Sequence, residues 1–492
     1  MVRWLLVFLF SVQITACSRD NATVVDSTLP EAAGETVDAG AVIEPTEDLL
    51  ARAQAPLLDG LGDFTHPITT ADPAAQRYFD QGMIMAAGFN HAESVRAFRA
   101  AQRLDPTCAM CFWGEALAIG PNINVTAKGK AIMLPDDRIA AFKAIQRAQA
   151  LAEGATEREQ DYIVAQSARY NGQPDTDRDP LDRAYAEAMR ELAVKYPEDD
   201  DAQAMFAEAM MNTMPWNYWL DGDNPKPETQ EVITALETVM ARNPRHPLSL
   251  HLYIHAVEAS SKPGRAETAA DVLADLVPGS GHLVHMPSHI YLRVGRYHDA
   301  VLANTEASLA DEDYITQCDA QGFYPAGYYP HNIHFLWASS SLEGRSEVSI
   351  DAAEKTASRV PIDMAVQVPN LQWFLVTPLY AQVRFGRWSE VLTTPPPAAD
   401  MPFVTAIWHY SRGVAFAARG QLERADEELS TLEKIAATPE MEEFNLNQAT
   451  GRHILTLAAN VVAGEIAAQD GRYDEAVEKL EHAVELQDDL PY

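Results

Sequence analysis

Basic residues are scarce in this chain. Its 492 residues hold 37 Lys plus Arg against 71 Asp plus Glu, a formal net charge of −34 at pH 7. Such a surface repels phosphate backbones, so the balance argues against nucleic acid and for cationic partners or metal ions, with plain solubility as the bland alternative. Long apolar runs are missing beyond the first sixteen residues, which excludes a membrane-spanning helix in the rest of the chain. There is no nucleotide-binding glycine loop, no nucleophile elbow and no HExxH zincin motif, so those enzyme classes are excluded too. Cysteine is nearly absent: beyond Cys17 there are only Cys108, Cys111 and Cys318. Outside the cytosol the C-x-x-C pair Cys108/Cys111 can close into a small disulfide, with Cys318 left as a buried or free thiol. That pair is not a haem attachment motif, because Phe112 follows where His is required. A redox role lacks the surrounding βαβ pattern.

What is present is enough apolar residue, 47%, to bury a sizeable core and rule out global disorder. Residues 1–16 read as a secretory signal: Arg3 supplies the positive start, Trp4 to Phe10 is unbroken apolar sequence, and the segment is too short to span a bilayer. Its end, Ile14-Thr15-Ala16-Cys17, resembles the lipobox of bacterial lipoproteins. The resemblance implies cleavage before Cys17 and a lipid on its sulfur, and Ser18 in the next position implies the outer membrane. The chain is then attached to the cell envelope through its lipid anchor only. Residues 17–60 carry little but Ala, Asp, Glu, Thr, Val and Pro without a sustained period, and read as a lipidated, acidic, disordered tether.

Residues 61–492 are periodic. The tetratricopeptide repeat (TPR) is a helix–turn–helix of 34 residues with large and small apolar residues at fixed places. A repeat beginning at Ala75 places Tyr78, Gly82, Phe98, Ala101 and Pro106 where that pattern needs them, and the next, from Ala109, places Phe112 and Ala116. Pro244 and Pro278 lie one period apart. A Gly-x-aromatic turn recurs as Gly295-Arg296-Tyr297, Gly386-Arg387-Trp388 and Gly471-Arg472-Tyr473, and Gly413, Gly420, Ala425 and Gly464 continue the register. The expected fold is therefore all-α, a TPR-like helical-hairpin solenoid. Insertions break it at Gly120–Asn124, at the aromatic segment Met214–Trp219, and from about Asp313 to Tyr329. In a solenoid such segments form loops on one face, either binding a ligand or filling gaps between helices.

The strings YFDQG, FNHAES, CAMCFWGEALAIGPNIN, MPWNYW, HLYIHAVEAS, GHLVHMPSHIYLRVGRY and YYPHNIHFLWA resemble bacterial exported TPR proteins. The resemblance runs from roughly Phe64 to the C-terminus. It implies a fold and an address, and no reaction. It also implies that the family continues past a Leu-Pro-Tyr segment into further repeat sequence, so the stop at Tyr492 reads as a truncation.

Histidine placement carries the functional expectation. Of 14 histidines, eight lie between His251 and His334. At ~100° per helical residue, His282, His285 and His289 share one face. His251 and His255 form an i, i+4 pair, and His331 and His334 an i, i+3 pair. In TPR register these seven occupy the second, fifth or ninth place of a first helix, the places that line the concave groove. Seven imidazoles in one hollow suit Zn or Cu, with Glu258, Cys318 and Asp319 as further ligands. An imidazole-lined groove for an anionic or peptide ligand, and structural hydrogen bonding, stand beside that reading. Pro287 decides part of it: a helix starting there leaves His282 and His285 in a loop. The Asn90-His91 pair reads as a helix cap. The primary expectation is a lipid-anchored binding or scaffold protein holding a protein or peptide partner in its groove, without nucleic acid and without catalysis. The alternative is transition-metal binding, or metal-dependent catalysis, at the histidine stripe.

Overall fold

The computed structural model describes residues 45–127, 130–320, 322–398, 400–446 and 449–490. The expectations for residues 1–16, for Cys17 and for the tether up to residue 44 lie outside the described residues.

Helical hairpins follow one another along the chain, as the period requires. Pro73–Ala87 packs on His91–Leu104, Ala109–Ile119 on Pro135–Leu151, Tyr329–Glu343 on Ser346–Ser358, Pro402–Ala418 on Leu422–Ala436, and Gly451–Gln469 on Tyr473–Asp488. This is a TPR-like helical solenoid. The strands among the described residues are three short antiparallel ribbons, Thr126–Ala127 with Lys130–Ala131, Trp219–Asp221 with Asn224–Pro225, and Asn445–Leu446 with Ala449–Thr450. The first two lie in or beside inserted segments. None of the described helices is long and apolar enough to cross a membrane.

The small residues of the repeat pattern have a packing reason. The Phe98 ring is fully buried, and a Cβ added at Gly82 would sit 2.7 Å from it, one added at Gly114 2.3 Å. Glycine at both places lets two neighbouring helices close on one ring. Gly413 against Val462 and Gly464 against Leu480 repeat the device further on. The Gly-x-aromatic turns end helices: Gly295 takes φ +84° and accepts no Cβ cheaply in that left-handed conformation. Local caps agree with the register. Asp72 precedes Pro73 and accepts from Ala74 N–H, and Thr156 and Glu159 form a capping box.

The described chain divides into two compact units. Residues up to Arg296, with Glu306–Tyr324, form one, and Tyr297–Thr305 with the residues from Pro325 onward form the other. In the second unit Phe403, Phe416, Leu432 and Val462 are buried in a common core. In the first, the end of the expected tether is ordered. Glu47–Ala53 is a helix with Thr46 as its cap, and Leu49, Ala53, Ala55 and Leu58 are buried. Tyr78 donates its hydroxyl to Ala55 O (2.7 Å), Leu58 N–H donates to Gln81 Oε1 (2.8 Å), and Gly279 N–H donates to Gly60 O (2.8 Å). Residues 45–60 thus pack on the helices rather than trail from them. A short helix followed by an extended strap shows no sustained period, which is why composition reads as a linker.

Candidate metal centre

The helix Pro247–Val257 is buried on every side. Pro247 fits its first turn, and the His246 ring caps it by accepting from Ser249 N–H (3.2 Å). An i, i+4 pair on such a helix cannot reach water, so His251 and His255, 0% and 1% exposed, must find partners inside. His251 Nδ1 lies 2.6 Å from Ala87 O, and His255 Nδ1 lies 2.7 Å from Glu258 Oε1. A carbonyl and a carboxylate only accept, so each Nδ1 carries the proton and each Nε2 the lone pair. Both Nε2 atoms are buried without a hydrogen-bond partner among the described residues.

The second set comes from Gly281–His285 and Pro287–Val294. Pro287 does interrupt the helix, as its missing N–H requires. Met286 nevertheless keeps helical angles, φ −52° and ψ −38°, so the three histidines stay on nearly continuous helix. Gly281 is needed because a Cβ there would meet Asp311 Oδ1 at 2.1 Å. His282 N–H donates to the Tyr324 hydroxyl (3.2 Å), which donates to Asp311 Oδ1 (2.8 Å). His289 Nδ1 donates to the other oxygen of Glu258 (2.6 Å), and its Nε2 lies 2.9 Å from His285 Nε2. Ser288 Oγ stands 3.4 Å from His285 Nδ1.

Five rings therefore form one cluster. Ring centroids are 4.8 Å apart for His251 and His255, 5.0 Å for His251 and His282, and 5.7 Å for His282 and His285. One nitrogen each from His251, His255 and His282 lie within 4.8 Å of one another. Metal–nitrogen bonds of about 2.0–2.1 Å put two tetrahedral ligands about 3.3 Å apart, so modest ring rotation closes the three onto one ion. Burial and the neighbouring His255 hold His251 well below the usual imidazole range. Burial lowers His255 as well, against the pull of Glu258. Burial alone pushes the Glu258 carboxyl up, but His289 and His255 more than offset it and hold it ionised, well below its ordinary range. Neutral imidazoles beside a fixed carboxylate are the state that ligates metal, with Glu258 as the outer partner that orients two of the rings.

Two aromatic rings close the cluster. The Phe89 centroid is 4.6 Å from His251, 5.4 Å from His282 and 6.3 Å from His255. Trp216 meets His255 edge-on at 5.0 Å. Both residues have left-handed backbone, φ +55° and +60°. The rest of the Met214–Trp219 insertion fills space, with Trp219 Nε1 donating to Ala256 O (2.9 Å).

Not every expectation holds. The five histidines are 4% exposed or less; they are sealed in by Phe89 and Trp216 and do not line an open groove. His334 is on Tyr329–Glu343, in the second unit, as is His331, which packs on Phe335 and keeps its place among the candidate ligands. His334 sits among Trp337, Trp373 and Phe374, where burial depresses its pKa to about 3. Cys318 is buried but faces Arg96, whose Nη2 donates to its sulfur (2.7 Å), so it serves the Glu93–Arg96 pair instead of the histidines. Asp319 ends the helix Tyr297–Cys318 in a left-handed conformation. That helix absorbs the start of the expected Asp313–Tyr329 loop. Cys108 and Cys111 are joined in a disulfide across a helix start. Asn90 caps its helix by accepting from Glu93 N–H, while His91 Nε2 lies 3.2 Å from Asn122 Nδ2. Sequence reasoning missed Phe89, because nothing in a sequence marks a phenylalanine for positive φ.

No family model and no curated protein matches the chain. Among solved structures it is similar to a human IFIT1 dimer with PPP-AAAA at 13% identity, over 83% of this chain and 89% of that one, with a TM-score of 0.35. A human IFIT1 dimer with m7Gppp-AAAA gives 12%, 92%, 97% and 0.38, and yeast Tom70 gives 10%, 85%, 86% and 0.30. At these identities the likeness concerns the fold alone. It does correct one expectation, a protein or peptide partner with nucleic acid excluded. The two human IFIT1 structures were solved with PPP-AAAA and with m7Gppp-AAAA. A net charge summed over the whole chain says nothing of the local potential on any one face.

Proposed function

We propose that this TPR-like protein binds a transition-metal ion, Zn or Cu, at His251, His255 and His282, and that Cys17 lipid-anchors it in the cell envelope of a bacterium. One observation carries the metal reading. The Nδ1 atoms of His251 and His255 are tied to Ala87 O and Glu258, and one nitrogen each of His251, His255 and His282 lie within 4.8 Å of one another. Structural hydrogen bonding accounts for the Nδ1 contacts but leaves two buried Nε2 acceptors unused among the described residues, a costly arrangement that an ion relieves. The anchor rests on the lipobox-like run alone.

Metal analysis of the purified full-length chain, followed by titration with Zn(II) and with copper, tests the first part. One ion per chain is expected, lost in His251→Ala and His255→Ala and kept in His453→Ala, whose ring lies 2.7 Å from Leu486 O. Absence of stoichiometric binding by any of these ions ends the reading. For the anchor, Cys17→Ser is expected to release the protein from the detergent-extracted membrane fraction, and persistence there refutes it.

A further inference from the structure

The choice between ions turns on charge. Imidazole serves zinc and copper alike, so the donors alone do not decide. The cost of taking an ion out of water rises with the square of its charge, so a divalent ion loses about four times what a monovalent one does. Divalent ions offset that loss with anionic ligands or retained water. Here the three converging donors are neutral imidazoles. Glu258, fully buried, turns its two oxygens to His255 Nδ1 and His289 Nδ1. It supplies one compensating negative charge without supplying a bond.

The walls point the same way. Phe89 faces all three rings, lying nearly parallel to His255 with an 8° interplanar angle. Trp216 covers the edge of His255. These faces offer a bound water no hydrogen-bond acceptor. Their placement is also built at a cost. Among the described residues the non-glycine positions with positive φ are Gln54, Phe89, Trp216 and Asp319. For bulky side chains that conformation is an outlier, and such strain gathers at functional sites. The turn that sets Phe89 also contains Ala87, whose carbonyl orients His251.

We infer that His251, His255 and His282, walled by Phe89 and Trp216, form a water-free three-nitrogen site for monovalent copper. The inference rests on the metal-binding reading above and narrows it to one ion. Soft, low-coordinate Cu(I) tolerates three neutral nitrogens and no water, whereas Zn(II) seeks a fourth ligand in either structural or catalytic sites.

The test is an anaerobic titration of the full-length chain with Cu(I) against bicinchoninate, and a parallel one with Zn(II) against a chromophoric chelator. X-ray absorption of the copper-loaded protein reads the ligand shell. One Cu(I) per chain with three nitrogens and no oxygen is expected, bound at least about a hundredfold more tightly than Zn(II). Phe89→Gly, which relieves the positive φ and opens the wall, should narrow that preference about tenfold. Trp216→Leu should narrow it in the same direction, which keeps the test intact if the glycine variant fails to fold. Tighter binding of Zn(II), or an oxygen in the copper shell, overturns the copper inference and leaves the metal reading standing. A preference unchanged in folded variants overturns the role of the walls. If neither ion binds, both readings fail.

Discussion

Replacing Glu258 by glutamine is the most revealing single change. The carboxylate accepts from His255 Nδ1 (2.7 Å) and His289 Nδ1 (2.6 Å) and is fully buried. Glutamine has nearly the same shape but only one accepting oxygen, so its amide N–H₂ must face one of the two imidazole N–H groups. That donor–donor clash forces one ring to change tautomer, or leaves a buried donor unpaired at a cost of about 1–3 kcal/mol. If His255 flips, its Nε2 gains the proton and stops being a ligand. Loss of an orienting outer partner costs about 10–100-fold in metal affinity, equivalent to about 1.4–2.7 kcal/mol. The full-length Glu258→Gln variant is therefore expected to unfold at lower urea when metal-free and to bind copper or zinc 10–100-fold more weakly by competition titration. Unchanged affinity in a folded variant would show that Glu258 does not set the ring orientation.

Other outcomes follow from the same geometry. Removing residues 45–60 should destabilise the first unit by about 3–6 kcal/mol, since Leu49 and Leu58 are nearly fully buried; an unchanged denaturation midpoint would restore the tether reading. Gly114→Ala, whose Cβ would lie 2.3 Å from the Phe98 ring, should cost about 1–3 kcal/mol by overpacking, measured by thermal denaturation, and a neutral result would mean the ring can yield. His334 has a pKa depressed to about 3 by burial, below the unfolded value near 6.5, so the unfolded chain takes up its proton first and stability is lost as pH falls through about 6.5. Between pH 7.5 and 5.5, His334→Leu should therefore gain about 1.4 kcal/mol relative to the parent chain in urea unfolding; a gap that does not move with pH refutes the depressed value.

The fold was legible because the 34-residue register is written in packing constraints. Gly82, Phe98 and Gly114 have one explanation, a ring gripped by two close helices, and that explanation needs no distant residue. The turns at Gly295 and Gly471 are equally local, since both glycines have positive φ. The order in residues 45–60 was not legible. Leu49, Ala53 and Leu58 sit on a short helix and an extended strap, and their burial depends on helices that begin at Pro73 and on Gly279 far along the chain.

The site divides along the same line. That His251, His255, His282, His285 and His289 approach one another follows from helical spacing and adjacent hairpins, both readable. Extending the stripe to His334 assumed that equivalent repeat places meet equivalent surroundings. His334 shows otherwise: its neighbours are Trp337, Trp373 and Phe374, so the same repeat place that meets histidines in one hairpin meets an aromatic pocket in another. Repeat register sets where a side chain sits on its helix. What it meets is decided by the inserted segments, which have no register. Trp216 belongs to such a segment and Phe89 to the turn between Pro73–Ala87 and His91–Leu104, and they turn a row of imidazoles from an open groove lining into an enclosed cluster. On the proposed metal reading, the periodic helices supply the ligands and the aperiodic turns decide how much water, and so which charge of ion, those ligands can share.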